Sequence, residues 1–370
     1  MIIGLPKEIK AQESRVGLTP QSVEKLVSAG NTVIFEKNAG VESGFLDEEY
    51  AQSGGKLVNT APEVFMESEL IIKVKEPLSE EVKYLRPGQI LFTYLHLAAN
   101  KNLTEALLKS QCVSIAYEAV TDDSGKLPLL APMSEVAGRM SIQAGAYSLE
   151  RKNKGRGLLL SGVTGVSPAD VLILGGGVVG TNAADIAIGL QSNVTILDIS
   201  NDRLKELESR YSGKIQTALS NFENIKEFIT KTDLVVGGVL IPGAEAPRLV
   251  TKGMLKTMRP GSVIVDVAID QGGCIETSRP TTHADPTYLV DNVVHYCVAN
   301  MPGGVPRTST IALNNATLPF ILQLSSLGLN KALQDKNFLA GLNTYKGDMT
   351  CKPVADHFGI KYVEPGSVIH

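Results

Sequence analysis

The chain has 370 residues, is 43% hydrophobic and 20% charged, and carries a formal net charge of −4 with no tryptophan. That length fits about two domains, each able to bury a full core, and the acidic balance argues against a nucleic-acid partner, which wants a basic face. No run of about 18 apolar residues is present to span a membrane, no basic region precedes MIIGL as a signal peptide requires, and four cysteines without a CxxC spacing predict reduced thiols in a cytoplasmic protein.

In chain order, the segments MIIGLPKE, NTVIFEKN, LIIKVKEP, QILFTYLHL and VSIAYEAV read as strands, being rich in Ile, Val, Phe and Tyr. Helical patterns lie between them. In TPQSVEKLVSAG, Thr19 can cap, Pro20 suits the first turn and Gly30 ends the helix. Strands alternating with helices imply βαβ units and a parallel sheet. PLLAPMSEVAGRMSIQAGAYSLERK then reads as a long helix between domains, with Ser134 as its N-cap.

Next comes VLILGGGVVGTNAADIA, followed by NVTILDIS: strand, glycine turn, helix, strand, acid. Gly175 permits a tight turn, Gly177 lets the backbone approach a pyrophosphate, and Gly180 lets the helix pack close to its strand. The helix N-terminus offers N–H groups and partial positive charge to phosphates. Asp198, ending the next apolar run, can hold ribose hydroxyls and repel a 2′-phosphate, so the motif predicts NAD in preference to NADP. Arg203, shortly after it, leaves room for some NADP use. NDRLKELESRYS reads as a helix capped by Ser200 or Asn201, and TDLVVGGVLI, GSVIVDVAID and HYCVANM as further strands. Past Pro306 the composition reads as helical again, in TSTIALNNATLPFILQLSSLG and then NKALQDKNFLAGLNTYKGDMTCKPVADHF, with too little apolar surface for a third domain. The tail is therefore expected to dock on the N-terminal domain. The fold class expected is α/β, with two Rossmann-like domains built on doubly wound parallel sheets. The NAD-binding domain, 129–306, is inserted into a discontinuous catalytic domain, 1–128 and 307–370.

In doubly wound sheets the substrate pocket lies at the C-terminal strand ends, so polar residues there are the candidates. Arg15 can clamp a carboxylate with two hydrogen bonds; it reads equally as a surface arginine. Lys75 can stand beside a carbonyl or carboxylate, and Lys73, two residues away, is equally available. His96 follows ILFTYL, and histidine is the side chain suited to proton transfer near neutral pH; a hydrogen-bonded structural histidine fits as well. Asp270 ends GSVIVDVAID before a glycine loop, whereas Asp266 within the same run reads as a buried acid held by backbone N–H groups. Asn300 could position nicotinamide or substrate, or simply begin a turn. The five histidines show no metal-ligand spacing, and no metal is expected.

GLPKEIKAQESRVGLTP, IIKVKEP, LFTYLHLA, APMSEVAGR, LILGGGVVGTNAA, DVAIDQGGC and HYCVANMPGGVPRTST together resemble alanine dehydrogenase. The resemblance implies NAD-dependent, reversible deamination of L-alanine to pyruvate and ammonium by a homohexamer. It implies that Arg15 and Lys75 hold the substrate and that His96 and Asp270 are catalytic. It further places Ser134, Val178, Val179, Asp198, Arg203, Ser220, Val239, Leu240, Val267, Ala268, Ile269, Asp270, Arg279, Val298, Ala299, Asn300 and Met301 along the NAD site. Two alternatives stand beside it: the soluble NAD-binding subunit of a transhydrogenase, which needs a membrane partner, and a non-catalytic NAD-binding protein.

Overall fold

In the computed structural model, which describes residues 1–239 and 246–369, the apolar runs of the first third become short strands. These are β1 (Ile2–Leu5), β2 (Thr32–Glu36), β3 (Lys56–Val58), β4 (Leu70–Ile72), β5 (Ile90–Thr93) and β6 (Val113–Ala116). Further along lie β7 (Asp170–Leu174), β8 (Asn193–Asp198), β9 (Ile215–Leu219), β10 (Leu234–Gly237), β11 (Val263–Asp266), β12 (Thr287–Val290), β13 (Val293–Tyr296), β14 (Leu342–Tyr345) and β15 (Asp348–Met349). They form two sheets, ordered β15-β14-β6-β5-β4-β1-β2-β3 and β12-β13-β11-β10-β7-β8-β9. The first belongs to a compact unit made of Met1–Met133 and Val305–His370, the second to a unit made of Ser134–Gly304.

Both sheets are parallel except at one edge, where β12 pairs antiparallel with β13, and β14 with β6 and β15. In each, strand order reverses once, between β1 and β4 in the first sheet and between β7 and β10 in the second. Such reversal points leave a crevice at the C-terminal strand ends, where α/β proteins bind ligands. Alternation explains the second unit's core. Ile173, Val236 and Val265 join one apolar cluster, while Leu172, Val235 and Ile264 join another. Neighbouring residues of a strand point to opposite faces, so both faces of this sheet are buried, and its strands read as continuous apolar runs.

In the first unit, TPQSVEKLVSAG forms the helix Pro20–Ser28. Thr19 accepts the Ser22 N–H at 3.2 Å, and Gly30 turns away with φ +84°. The helix Pro306–Leu327, on the returning chain, grips the loop that carries Arg15. Thr310 Oγ1 accepts the Val16 N–H at 3.2 Å, and Asn314 Oδ1 accepts the Thr19 N–H at 2.8 Å.

Four local expectations are corrected. Ser134 does not cap a helix, because the helix runs Ala131–Ser148 and contains it; Pro132 needs no hydrogen-bonded N–H in a first turn, so the helix begins earlier. Asp270 does not end a strand: β11 stops at Asp266, and Asp270 sits in the 3₁₀ turn Val267–Gln271. LIIKVKEP is strand only to Ile72. The tail is not wholly helical, since LNTY supplies β14, whose pairing with β6 overrides local propensity. Among the described residues no helix is long and apolar enough to cross a membrane.

Candidate functional site

The second unit builds a phosphate cradle. Gly175 leaves β7 with φ +96°, a conformation costly for any residue with a Cβ. A Cβ on Gly180 would lie 1.8 Å from the Gly175 carbonyl oxygen, so only glycine lets the helix Val178–Gly189 seat this close to β7. Gly177 caps that helix and is different in kind: a Cβ there meets nothing within 4 Å, and the position faces open space. The cradle therefore has room for a ligand's phosphates against the helix N-terminus.

Asp198, ending β8, stands over the cradle. Its Oδ2 accepts the Gly176 N–H at 2.7 Å and its Oδ1 accepts the Ser200 N–H at 2.9 Å. Arg203 donates from Nε to the Gly176 carbonyl at 2.7 Å, from Nη2 to Thr181 Oγ1 at 2.8 Å and from Nη1 to Glu206 at 2.5 Å. The first of these holds the glycine loop itself and the second the helix that follows it. Val239 flanks the same turn, 3.2 Å from where a Gly175 Cβ would be. Val178 is exposed and Val179 buried at the start of the helix. Ser220 follows β9 and donates its N–H to the Asp198 carbonyl at 2.8 Å. Leu240 lies outside the described residues. Gly138, one turn beyond Ser134, approaches the Val179 carbonyl so closely that a Cβ would lie 2.3 Å from it. Together the open Gly177, the helix N-terminus and the Asp198 carboxylate fit a dinucleotide.

Farther along the same sheet, the end of β11 is organised by Asp266. This fully buried acid accepts the N–H groups of Cys274 at 3.0 Å and Ile275 at 3.3 Å and the Ser278 hydroxyl at 2.6 Å. Burial pushes its carboxyl above the usual range, against those donors. The loop so closed presents Val267, Ala268, Ile269 and an exposed Asp270. Asp270 accepts the Asn300 N–H at 3.3 Å. Asn300 has φ +58° and ends the segment Val298–Ala299–Asn300 before Met301. Arg279 is exposed, with its guanidinium 4.1 Å from the Tyr288 ring centre.

In the first unit three adjacent strands each deliver one candidate: β1 leads to Arg15, β4 to Lys75 and β5 to His96. Arg15 is no surface arginine. It is 2% exposed, and Glu13 takes its Nε at 2.6 Å and its Nη2 at 2.5 Å. Met133 Sδ lies 3.0 Å from Nη1. Lys73 and Lys75 differ in their surroundings. Lys73 is fully buried between Glu8 at 3.1 Å and Glu81 at 2.7 Å. Burial opposes its charge, but the two carboxylates outweigh that and hold the ammonium charged. Lys75 is half-buried, and its carbonyl accepts the Thr93 hydroxyl at 3.0 Å.

His96 adopts φ +47°, and its side chain is 49% exposed. Its N–H goes to Glu118 Oε1 at 2.6 Å, its Nδ1 lies 3.9 Å from that oxygen, and its ring stacks on Tyr94 at 5.9 Å. Tyr94 is itself buried, with its hydroxyl donated to the Leu129 carbonyl at 2.6 Å. Glu13, Tyr94 and Glu118 are absent from the sequence-based candidates. A signal for Glu118 exists: it follows β6, the neighbour of β5, and parallel strands end at one edge.

Two family models match almost the whole chain. "Alanine dehydrogenase/PNT, N-terminal domain" covers residues 4–137, and "Alanine dehydrogenase/PNT, C-terminal domain" covers 141–352. The chain is 55% identical over 370 residues to an alanine dehydrogenase of Halomonas elongata, with 100% of both covered. A solved L-alanine dehydrogenase matches with TM-score 0.94 and 50% identity, over 97% of this chain and 99% of that one. A transhydrogenase from Sinorhizobium meliloti matches with TM-score 0.81 and 25% identity, over 94% and 98%.

Proposed function

The chain belongs to the alanine dehydrogenase/PNT family, and we propose that Arg15, Lys75, His96 and Asp270 carry its reaction. That reaction is the NAD-dependent, reversible oxidative deamination of L-alanine to pyruvate and ammonium. Likeness to the transhydrogenase is half as great in identity, and no feature of the site favours that reading.

Bound NAD supplies the acceptor for the hydride leaving the alanine Cα. Arg15, its plane fixed by Glu13, offers a rigid fork to the substrate carboxylate. That grip orients Cα–H, a proximity effect. Loss of the hydride and an amine proton leaves an imine, water adds to it, and the carbinolamine collapses to pyruvate and ammonia. Each later step moves a proton, and His96 takes and returns it. Lys75 polarises the oxygen that becomes the carbonyl. Asp270 stabilises the cationic amine or imine. Substrate binding is assigned to the first unit. NAD binding is assigned to the second, along Ser134, Gly175, Gly177, Val178, Val179, Gly180, Asp198, Arg203, Ser220, Val239 and Leu240, and along Val267, Ala268, Ile269, Asp270, Arg279, Val298, Ala299, Asn300 and Met301. The same family likeness underlies reading the protein as a cytoplasmic homohexamer.

The observation that carries the residue roles is the delivery of Arg15, Lys75 and His96 by three neighbouring strands to one sheet edge. L-alanine with NAD at alkaline pH should yield NADH, whereas lysine, glutamate and NADP should yield little. His96→Ala should bind NADH normally and turn over negligibly. Near-normal turnover in that variant would remove His96 from the chemistry.

A further inference from the structure

The Glu8 side chain is 2% exposed, and its carboxylate reaches three donors. Oε1 accepts the Val74 N–H at 2.6 Å and the Lys75 N–H at 3.4 Å, while Oε2 accepts Lys73 Nζ at 3.1 Å. These peptide groups lie beyond the end of β4, where regular pairing has ceased. The backbone at Lys75 is thus fixed on two sides. Toward β5, Tyr94 donates its N–H to the Val74 carbonyl at 3.3 Å and Thr93 its hydroxyl to the Lys75 carbonyl at 3.0 Å. On the other side stands Glu8.

Glu8 cannot swing away, because Lys73 holds its second oxygen and Glu81 holds Lys73. A carboxylate is a costly way to make a turn: burial raises the Glu8 carboxyl above its usual range, only partly offset by Lys73. A neutral acceptor would satisfy one peptide N–H at less cost. A locked, charged acceptor does something else as well, since it fixes the position from which a flexible lysine extends its ammonium.

We propose that Glu8 is a positioning residue for the reaction, setting through the Val74–Lys75 backbone where the Lys75 ammonium stands. This rests on the reading that Lys75 meets the substrate. Glu81 provides an internal control. It is equally buried and holds the same Lys73, but its other oxygen accepts the Leu78 N–H at 2.9 Å, away from Lys75. Glu8→Gln and Glu81→Gln therefore remove the same kind of ion pair, and only the first touches the lysine backbone.

The test compares the two variants in thermal melting, NADH binding and pyruvate reduction. Both should melt lower and bind NADH as the unaltered protein does. Glu8→Gln should lose about ten- to a hundredfold in kcat/KM for pyruvate, the scale of a small misplacement, and Glu81→Gln should keep it. Glu8→Asp keeps the charge but shortens the reach, and should fall between; it decides the matter if Glu8→Gln does not fold. Equal kinetic losses in Glu8→Gln and Glu81→Gln, or none in Glu8→Asp and Glu8→Gln, overturn the proposal. Lys75→Met separates the two levels. If it turns over pyruvate normally, the substrate role of Lys75 fails and the Glu8 proposal with it. If it is inactive while Glu8→Gln matches Glu81→Gln, the Glu8 proposal alone fails.

Discussion

Gly180 and Gly177, both near the turn after β7, should respond differently when each is given a methyl group. Gly180→Ala places a Cβ 1.8 Å from the Gly175 oxygen and 3.1 Å from Ile173 Cγ2. An ordinary carbon–oxygen contact is about 3.3 Å, so the helix Val178–Gly189 must back off by roughly 1.5 Å. That helix buries Ala183, Ala184 and Ala187 fully, and all three lose packing together. Overpacking of this kind costs about 3 kcal/mol or somewhat more, which for a unit of this size lowers the melting temperature by roughly 6–12 °C. Gly177→Ala meets nothing within 4 Å and its φ of −69° suits alanine. Alanine caps a helix slightly worse than glycine, but it also restricts the unfolded chain, and these effects of about 0.5–1 kcal/mol nearly cancel. Its melting temperature should stay put while NADH affinity falls at least about tenfold, because the methyl fills the space a pyrophosphate enters. Scanning calorimetry and an NADH fluorescence titration read both quantities. An unshifted melting temperature in Gly180→Ala would refute the close-packing argument, and unchanged NADH affinity in Gly177→Ala would remove the pyrophosphate from this loop.

Glu118→Gln keeps one acceptor for the His96 and Leu95 N–H groups but loses the charge beside the imidazole; kcat should fall about ten- to a hundredfold with NADH binding intact, and a normal kcat sinks the role. Arg203→Met should weaken NADH and NADPH together, since Arg203 holds the glycine loop; a loss confined to NADPH would instead assign Arg203 to a 2′-phosphate. His295 is fully buried, and burial depresses its folded-state pKa. The unfolded chain then takes up the proton first, so the stability His295 contributes is complete above about pH 6.5 and is lost as pH falls through the lower folded value. Melting temperatures from about pH 8 to about pH 5 should drop less steeply in His295→Gln than in the unaltered protein; parallel curves would exclude it.

The dinucleotide cradle was legible because everything it needs is local. Gly175, Gly177, Gly180 and Asp198 lie in one strand–turn–helix–strand stretch, and each has a geometric reason that depends on its own neighbours. Buried strands such as ILFT and LVVG were equally plain. The short edge strands β3, β12 and β15 were not, because an edge needs little apolar pattern. By its sequence LNTY belongs to a helical tail, and only its partner β6, from far earlier in the chain, makes it a strand. The same distance effect hid the acids. Glu8 and Glu118 take their meaning from backbone groups or charges that the fold brings to them, whereas Glu13 pairs with Arg15 only two residues on. Nothing in PKEIKAQES distinguishes Glu8 and Glu13 from solvated carboxylates.

His96 shows the limit most sharply. A left-handed backbone at a non-glycine residue costs about 1–3 kcal/mol and persists only where the surroundings over-determine it. Here they do: Glu118 takes the His96 N–H at 2.6 Å, the His96 carbonyl accepts the Ala99 N–H at 3.0 Å, and Tyr94 backs the ring. A left-handed backbone does not by itself mark function, since Gln12, Gln111, Lys154, Ser212 and Lys346 adopt it as well. Asn300 at φ +58° is such a case, and its conformation says nothing about function. An imidazole held in that conformation and still 49% exposed supports the acid–base role proposed for His96. The letters LFTYLHLA place a histidine after a strand. The fold adds the Glu118 and Tyr94 contacts that hold it there.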